Sequence, residues 1–238
     1  MRQDIHNSDV PALCRACEAR HRGICGALDA AELVRLGRQS SRHEYEAGTT
    51  LVAAGERVDH CSNILSGVAK LTKILPDGRQ QVVELQFAPD FLGRPFAEES
   101  DVLVEAATTI RLCSFPRAAL ERMMEGSHAL EGRMHRQALR QLDEARDWMM
   151  TLGRKSAGEK VASFLLMLAR HIRPQRPGYA TEFELPLSRA DIADFLGLTH
   201  ETVSRQLTEL RKRGVIGLER ARHVTVLDLA ALKAAAAS

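Results

Sequence analysis

Three of the chain's five cysteines, Cys14, Cys17 and Cys25, fall within twelve residues near the N-terminus, whereas Cys61 and Cys113 lie far downstream. Three thiolates in a short stretch, joined by a fourth from elsewhere, can hold either a structural zinc or an iron–sulfur cluster. The spacing Cys14-x2-Cys17-x7-Cys25 does not decide between them. Zinc held by four cysteines usually draws on two C-x2-C knuckles, and the second is missing, which suits the larger cuboidal cluster somewhat better. By pattern, Cys61 in VDHCSNIL and Cys113 in TIRLCSFP are equal candidates for the fourth ligand, since both are apolar-flanked and strand-like. An odd cysteine count in a reducing compartment points to thiols kept for metals or redox chemistry rather than to structural disulfides. The scattered His21, His43, His60 and His128 read as solvated or core residues, not ligands. No Ser-His-Asp array, phosphate loop or substrate-coordinating motif accompanies the cysteines, so an enzyme, including an iron–sulfur enzyme, is not expected.

A second constellation lies near the other end, in LSRADIADFLGLTHETVSRQLTELRKRG, residues 187–214. Ser188 with Asp191 opens a helix through Leu196, Gly197 supplies a tight turn, and Thr199 caps a second helix from His200 to Arg213. Its buried face is Val203, Leu207 and Leu210. Ala193, Gly197 and Val203 fall where the two helices of a helix-turn-helix must approach, turn and lock. The opposite face gathers His200, Glu201, Ser204 and Arg205 at the N-terminal end, where a recognition helix meets base edges. Arg reads guanine O6 and N7, Glu accepts from cytosine N4, and Ser serves several partners. Arg189 and Thr199, at the helix starts, complete the expected DNA-contacting set. Val215 to Glu219 and His223 to Leu227 form a short hairpin wing.

These two sites need elements to carry them. The 238 residues favour two domains. Apolar content of 45% with 27% charged residues is globular composition and excludes a disordered chain, a collagen-like repeat or a rod. No apolar run reaches membrane-spanning length, and the first residues lack a secretory core, so a cytoplasmic chain is expected. From His43 to Phe115, short apolar runs broken by Gly and Pro describe a β-sandwich or barrel, with Val68 to Leu75 and Val82 to Phe87 as one hairpin about Pro76-Asp77-Gly78. Between Leu130 and Leu152, Met134, Ala138, Leu142, Ala145, Met149 and Leu152 form a narrow apolar seam that suits pairing with another helix. Ser156 to His171 reads as a further amphipathic helix and 173–178 as a loop. The alanine-rich tail from Leu232 is expected to fray. Net charge is only +2, but 155–238 holds 13 Lys+Arg against 9 Asp+Glu. That basic excess suits phosphate contacts and salt-dependent binding.

Glu201-Thr202-Val203-Ser204-Arg205 after RADIADFLGLT, together with the N-terminal cysteine triplet, resembles the FNR-type regulators of the CRP/FNR superfamily over nearly the whole chain. The seven-residue gap before Cys25 is longer than in the enteric form and resembles the alphaproteobacterial version. Leu112-Cys113-Ser114-Phe115-Pro116 resembles the family's fourth cluster-ligand site, and by the same alignment Cys61 becomes a core thiol. The resemblance implies an α+β chain: a cluster-binding segment at 1–28, a cyclic-nucleotide-binding-like jelly-roll sensory domain at 29–128, a dimerisation helix at 129–154 and a winged helix-turn-helix at 155–238. It implies a [4Fe-4S] cluster on Cys14, Cys17, Cys25 and Cys113 that senses oxygen and controls formation of a homodimer. It also implies a palindromic TTGAT-type site in double-stranded DNA, read by Glu201, Ser204 and Arg205. The family's RNA polymerase contact corresponds to the turn at Asp77-Gly78, which on its own is a plain hairpin turn. Two departures stand out: His200 replaces a small apolar residue, and Ala145 falls where an acidic residue weakens the apo dimer. Cyclic nucleotide is not an expected partner, because Phe91-Leu92-Gly93-Arg94-Pro95-Phe96 lacks the Glu of the phosphate cassette and SDVLVEAA replaces its Arg-Ser pair. The alternative is a zinc-stabilised, oxygen-insensitive transcription factor of the same fold.

Overall fold

The computed structural model describes residues 10–15, 17–172 and 182–237; the expected loop at 173–178 lies outside them. The chain divides into two compact units, one comprising the residues up to 73 with 85–142, the other 74–84 with 143–238.

The first unit begins with α1 (Ala12–Arg15), α2 (Glu18–Arg22), a 3-10 turn at Ile24–Ala27 and α3 (Ala30–Arg38). Asp29 and Glu32 each accept the other's backbone N–H at 2.8 Å, a capping box that fixes where α3 starts. Eight strands follow: β1 (Ser41–Tyr45), β2 (Thr50–Val52), β3 (His60–Ser66), β4 (Val68–Ile74), β5 (Gln80–Phe87), β6 (Phe91–Leu92), β7 (Leu103–Ala106) and β8 (Ile110–Pro116). They form two four-stranded sheets of order β1-β8-β3-β6 and β2-β7-β4-β5. Ile64, Leu92, Ile110 and Leu112 from one sheet share a buried cluster with Ala69, Leu71, Val104 and Ala106 from the other. The sheets therefore pack face to face as the expected jelly roll.

Side chains alternate across a strand, so residues 61, 63, 113 and 115 point away from that sandwich core. This outer face is covered. Val10, Ile24, Leu28, Leu33 and Leu36 from the N-terminal segment bury Cys61, Phe91 and Phe115, together with Leu120 of α4 (Arg117–Gly126) and Leu130 of α5 (His128–Arg154). The expected helix at 129–154 is thus α5, 27 residues long and about 40 Å from end to end. The division between units falls inside it, after Leu142, rather than at either end. Leu130 belongs to the first unit's core, whereas Trp148 packs edge-on against Phe195 at 4.6 Å in the second.

The second unit continues through α6 (Ala157–His171), capped by Ser156 with Glu159, then β9 (Glu182–Glu184), α7 (Arg189–Leu196), α8 (His200–Lys212), β10 (Ile216–Glu219), β11 (His223–Val226) and α9 (Leu229–Ala237). Strand order β10-β11-β9 adds a third strand to the expected two-stranded wing. The tail does not fray. Leu232 and Ala236 are buried, and the Lys155 ammonium donates to the Ala236 carbonyl at 2.6 Å, so the last turn of α9 is held where alanine propensity alone would not hold it. The hairpin residues Gln80 and Gln81 donate to the Asp194 carboxylate at 2.7 Å and the Phe195 carbonyl at 3.1 Å.

The turn between β3 and β4 depends on Gly67, at φ +91°, where a Cβ would lie 2.4 Å from the Thr109 carbonyl oxygen. Gly67→Ala is expected to lower the unfolding free energy by about 2 kcal/mol, checked by denaturant melts; a loss below about 0.5 kcal/mol would show that the turn relaxes freely.

Candidate functional site

The four expected ligand thiols come from two places. Cys14, Cys17 and Cys25 lie in the N-terminal segment, and Cys113 lies on β8 in the outer face of the sandwich. Two glycines permit the close packing. A Cβ on Gly26 would sit 2.9 Å from the His21 carbonyl oxygen, and one on Gly37 of α3 would sit 2.8 Å from Pro11 Cγ and 3.6 Å from Cys14 Sγ. Gly26 lets the Cys25 turn close against the end of α2, and Gly37 lets the Cys14 turn lie on α3.

The thiols feel one another. Burial raises the Cys25 thiol to about 12, helped by the neighbouring charges of Cys113, Cys14 and Cys17 and opposed by a hydrogen bond from Asn63. Burial also raises Cys113, with Cys17 and Cys14 adding to it, and raises Cys14, with Cys17 adding to it; Arg42 opposes both shifts. Among the described residues, no three His, Cys, Asp or Glu side chains converge tightly enough to chelate one metal ion. The four thiols lie near one another without being drawn to single-ion distances. Cys61 is separate. It is fully buried, with its sulfur against the backbone of Gly93, where a Cβ would come within 2.9 Å, and burial pushes its thiol up to about 12.

The donor set fits a cluster that prefers sulfur ligands: four thiols, of which Cys14 and Cys25 pack on the core containing Ile24, Leu28 and Phe115, with Arg42 near Cys113 as positive charge. Arg42 pairs with Cys113 from β1, and Asn63 pairs with it from β3. Neither was visible as a candidate from cysteine spacing, because only sheet register brings them to the thiols. The segment is also tied to α5, where the Arg133 guanidinium donates to the Arg22 carbonyl and Met134 packs against the same core.

In the second unit the helix-turn-helix forms as expected. Ser188 and Asp191 make a capping box on α7, Gly197 is left-handed at φ +60°, and Thr199 accepts from the Thr202 N–H to start α8. Val203, Leu207 and Leu210 are buried, which turns Glu201 and Arg205 to solvent, with Ser204 half-buried beside them. His200 Nδ1 lies 3.0 Å from a Glu201 carboxylate oxygen. The Glu201 carboxyl is held below the usual range by its own backbone N–H and the Thr199 hydroxyl, with His200 adding to them. Arg189 differs from its neighbours: its guanidinium donates to the Ala221 carbonyl at 2.7 Å, bracing α7 against the wing turn.

Along α5 the expected seam splits. Met134 is half-buried in the first unit's core and Leu152 is half-buried, whereas Ala138, Leu142, Ala145 and Met149 lie open. Leu139 and Met150, absent from the expected seam, are 60% and 62% exposed, and Met149 is 72% exposed. This open apolar face is broader than an a/d stripe.

Residues 159–235 match the family described as the Crp-like helix-turn-helix domain, and residues 42–127 match the cyclic nucleotide-binding domain. A probable transcriptional activator of Rhizobium leguminosarum is 53% identical over 96% of this chain and 95% of its own length. The chain belongs to the CRP/FNR family of transcription regulators. The transcriptional activator protein FnrL of Cereibacter sphaeroides is 40% identical over 94% of this chain and 93% of its own. The solved structure of FixK2 from Bradyrhizobium japonicum covers 84% of this chain and 98% of its own, with a TM-score of 0.75 and 29% identity. This CRP/FNR chain is therefore a DNA-binding transcriptional activator of the FNR/FixK kind, not an enzyme. No described helix is long and apolar enough to cross a membrane.

Two outcomes are expected of this surface. Arg205→Ala weakens binding to a specific palindromic duplex by about 1–3 kcal/mol while binding to scrambled duplex changes little, measured by fluorescence anisotropy; equal losses on both duplexes would make Arg205 a phosphate contact. Leu142→Glu shifts the protein toward monomer in sedimentation, since it places a charge in the exposed face of α5.

Proposed function

We propose that this regulator responds to oxygen through a [4Fe-4S] cluster held by Cys14, Cys17, Cys25 and Cys113, and that the cluster controls homodimerisation on a palindromic TTGAT-type site. When bound, the cluster supplies an oxygen-labile cross-link between the N-terminal segment and the β-sheet. The observation that carries this reading is that the covering segment, with Cys14 and Cys25 packed against its core, lies on the same outer sheet face as Cys113.

The chain's own residues supply the coupling. Cys25 sits in the turn that Gly26 allows to close, and that turn follows α2, whose end carbonyl at Arg22 is gripped by Arg133 of α5. Holding the segment against the sheet therefore holds the first turns of α5, through Arg133, Leu130 and Met134. The exposed apolar residues of α5 cover one another when two chains pair. Pairing then offers two α8 helices to successive major-groove faces, and affinity rises because both half-sites are read at once. Glu201, Ser204 and Arg205 read bases, with His200 steadying the Glu201 carboxylate. The Pro76-Asp77-Gly78 turn faces RNA polymerase in this reading.

Cyclic nucleotide has no role in the proposal. Arg94 follows Gly93 where a phosphate cassette carries Glu, and its guanidinium is spent on Asp101 at 2.7 Å. A zinc centre on the same thiols is the competing reading.

Protein purified without oxygen is expected to be straw-brown, to contain iron and acid-labile sulfide in equal amounts, and to lose its blue absorbance and its dimer in air. Cys25→Ser and Cys113→Ser abolish the colour, whereas Cys61→Ser retains it. A colourless protein containing zinc would replace this reading with the oxygen-insensitive one.

A further inference from the structure

Asn63 lies beneath the thiols and is unexplained by the cysteine pattern. It is on β3, directly opposite Cys113 on β8, while Arg42 on β1 is opposite Cys113 from the other side. Directly opposed residues share a sheet face, so Arg42, Cys113 and Asn63 form a row across the outer face of the sandwich. Asn63 is only 4% exposed. Its Nδ2 donates to Cys25 Sγ at 3.3 Å. One side chain therefore touches the ligand from the N-terminal segment and neighbours the ligand from the sheet.

Burying a carboxamide in an apolar core is costly unless both of its ends are bonded. Here the amide nitrogen is bonded, but Oδ1 is buried with no hydrogen-bond partner. A leucine would fill a similar volume without that cost. The amide is placed against the sulfur: Nδ2 donates to Cys25 Sγ, beside Cys113 on the neighbouring strand.

We infer that Asn63 is a positioning residue for the sulfur centre, holding Cys25 Sγ in its ligating orientation and slowing loss of the cluster's iron. The inference rests on the reading of Cys14, Cys17, Cys25 and Cys113 as a cluster site. Hydrogen bonds to ligating groups orient them and set how tightly the metal is kept, and removing such a partner typically costs about 10–100-fold in metal affinity.

The test uses the full chain, reconstituted anaerobically with iron and sulfide and then challenged with EDTA, without oxygen throughout. Asn63→Leu removes the donor at similar volume, Asn63→Asp replaces it with a buried carboxylate beside the sulfurs, and Asn63→Gln keeps an amide. Thr72→Val, which alters a buried polar side chain on the other sheet, controls for general destabilisation. Asn63→Leu is expected to lose its blue absorbance about 10-fold faster than wild type or more, and Asn63→Asp faster still. Asn63→Gln recovers most of the retention, and Thr72→Val matches wild type. Resonance Raman bands of the Fe–S(Cys) bonds shift in Asn63→Leu and not in Thr72→Val. If Asn63→Leu does not fold, the Asp and Gln variants decide: fast loss in the first with retention in the second supports the role, and equal rates overturn it. Wild-type rates and unshifted bands in Asn63→Leu and Asn63→Asp overturn the role of Asn63 but leave the cluster reading standing. Wild-type protein that takes up no iron and sulfide overturns both.

Discussion

A segment of about thirty residues cannot bury a core of its own. In this chain it borrows one, laying Val10, Ile24, Leu28, Leu33 and Leu36 over the outer face of a sheet whose other face already fills the sandwich. That covering brings Cys14, Cys17 and Cys25 to Cys113, buries Asn63 and gives the start of α5 its hydrophobic seat. The apolar burial comes from α1, the 3-10 turn, α3 and residues beside them, none long enough to be stable alone. Their position is decided by contacts with the sheet and not by local propensity, which is the condition under which a bond to the sheet at one cysteine can bias the whole segment.

The two ends of the chain work on different physical terms. The N-terminal unit concentrates buried sulfur and burial-raised thiols, while the C-terminal unit exposes charge along one helix face over a conventional apolar seam. The helix α5 contributes Leu130 to the core of the first unit and Trp148 to the aromatic packing of the second, and Ala138, Leu142 and Ala145 are exposed.

Much of this was legible from residue order. Ser188, Gly197 and Thr199 are local signals whose meaning does not depend on tertiary context, and the helices they bound lie where those signals place them. The alternation of strands and turns marked the sandwich for the same reason. Asn63, Arg42 and Arg133 were not legible, because their importance comes from strand register and from a carbonyl on another helix, neither of which has a spacing signature. The order of the α9 tail was not legible for a related reason: alanine runs look indifferent until Lys155, far upstream in sequence, supplies a cap for the Ala236 carbonyl. The bond from Arg189, one of the expected DNA contacts, to the Ala221 carbonyl of the wing turn likewise has no spacing signature.

The chain has a single tryptophan, and it is Trp148, stacked edge-on against Phe195, which in turn lies 5.7 Å from Phe164. Every photon of indole emission therefore originates in one aromatic stack that joins the C-terminal half of α5 to α6 and α7. The molecule carries its own optical reporter on the packing behind the DNA-reading helices, with no label to attach and no second indole to subtract.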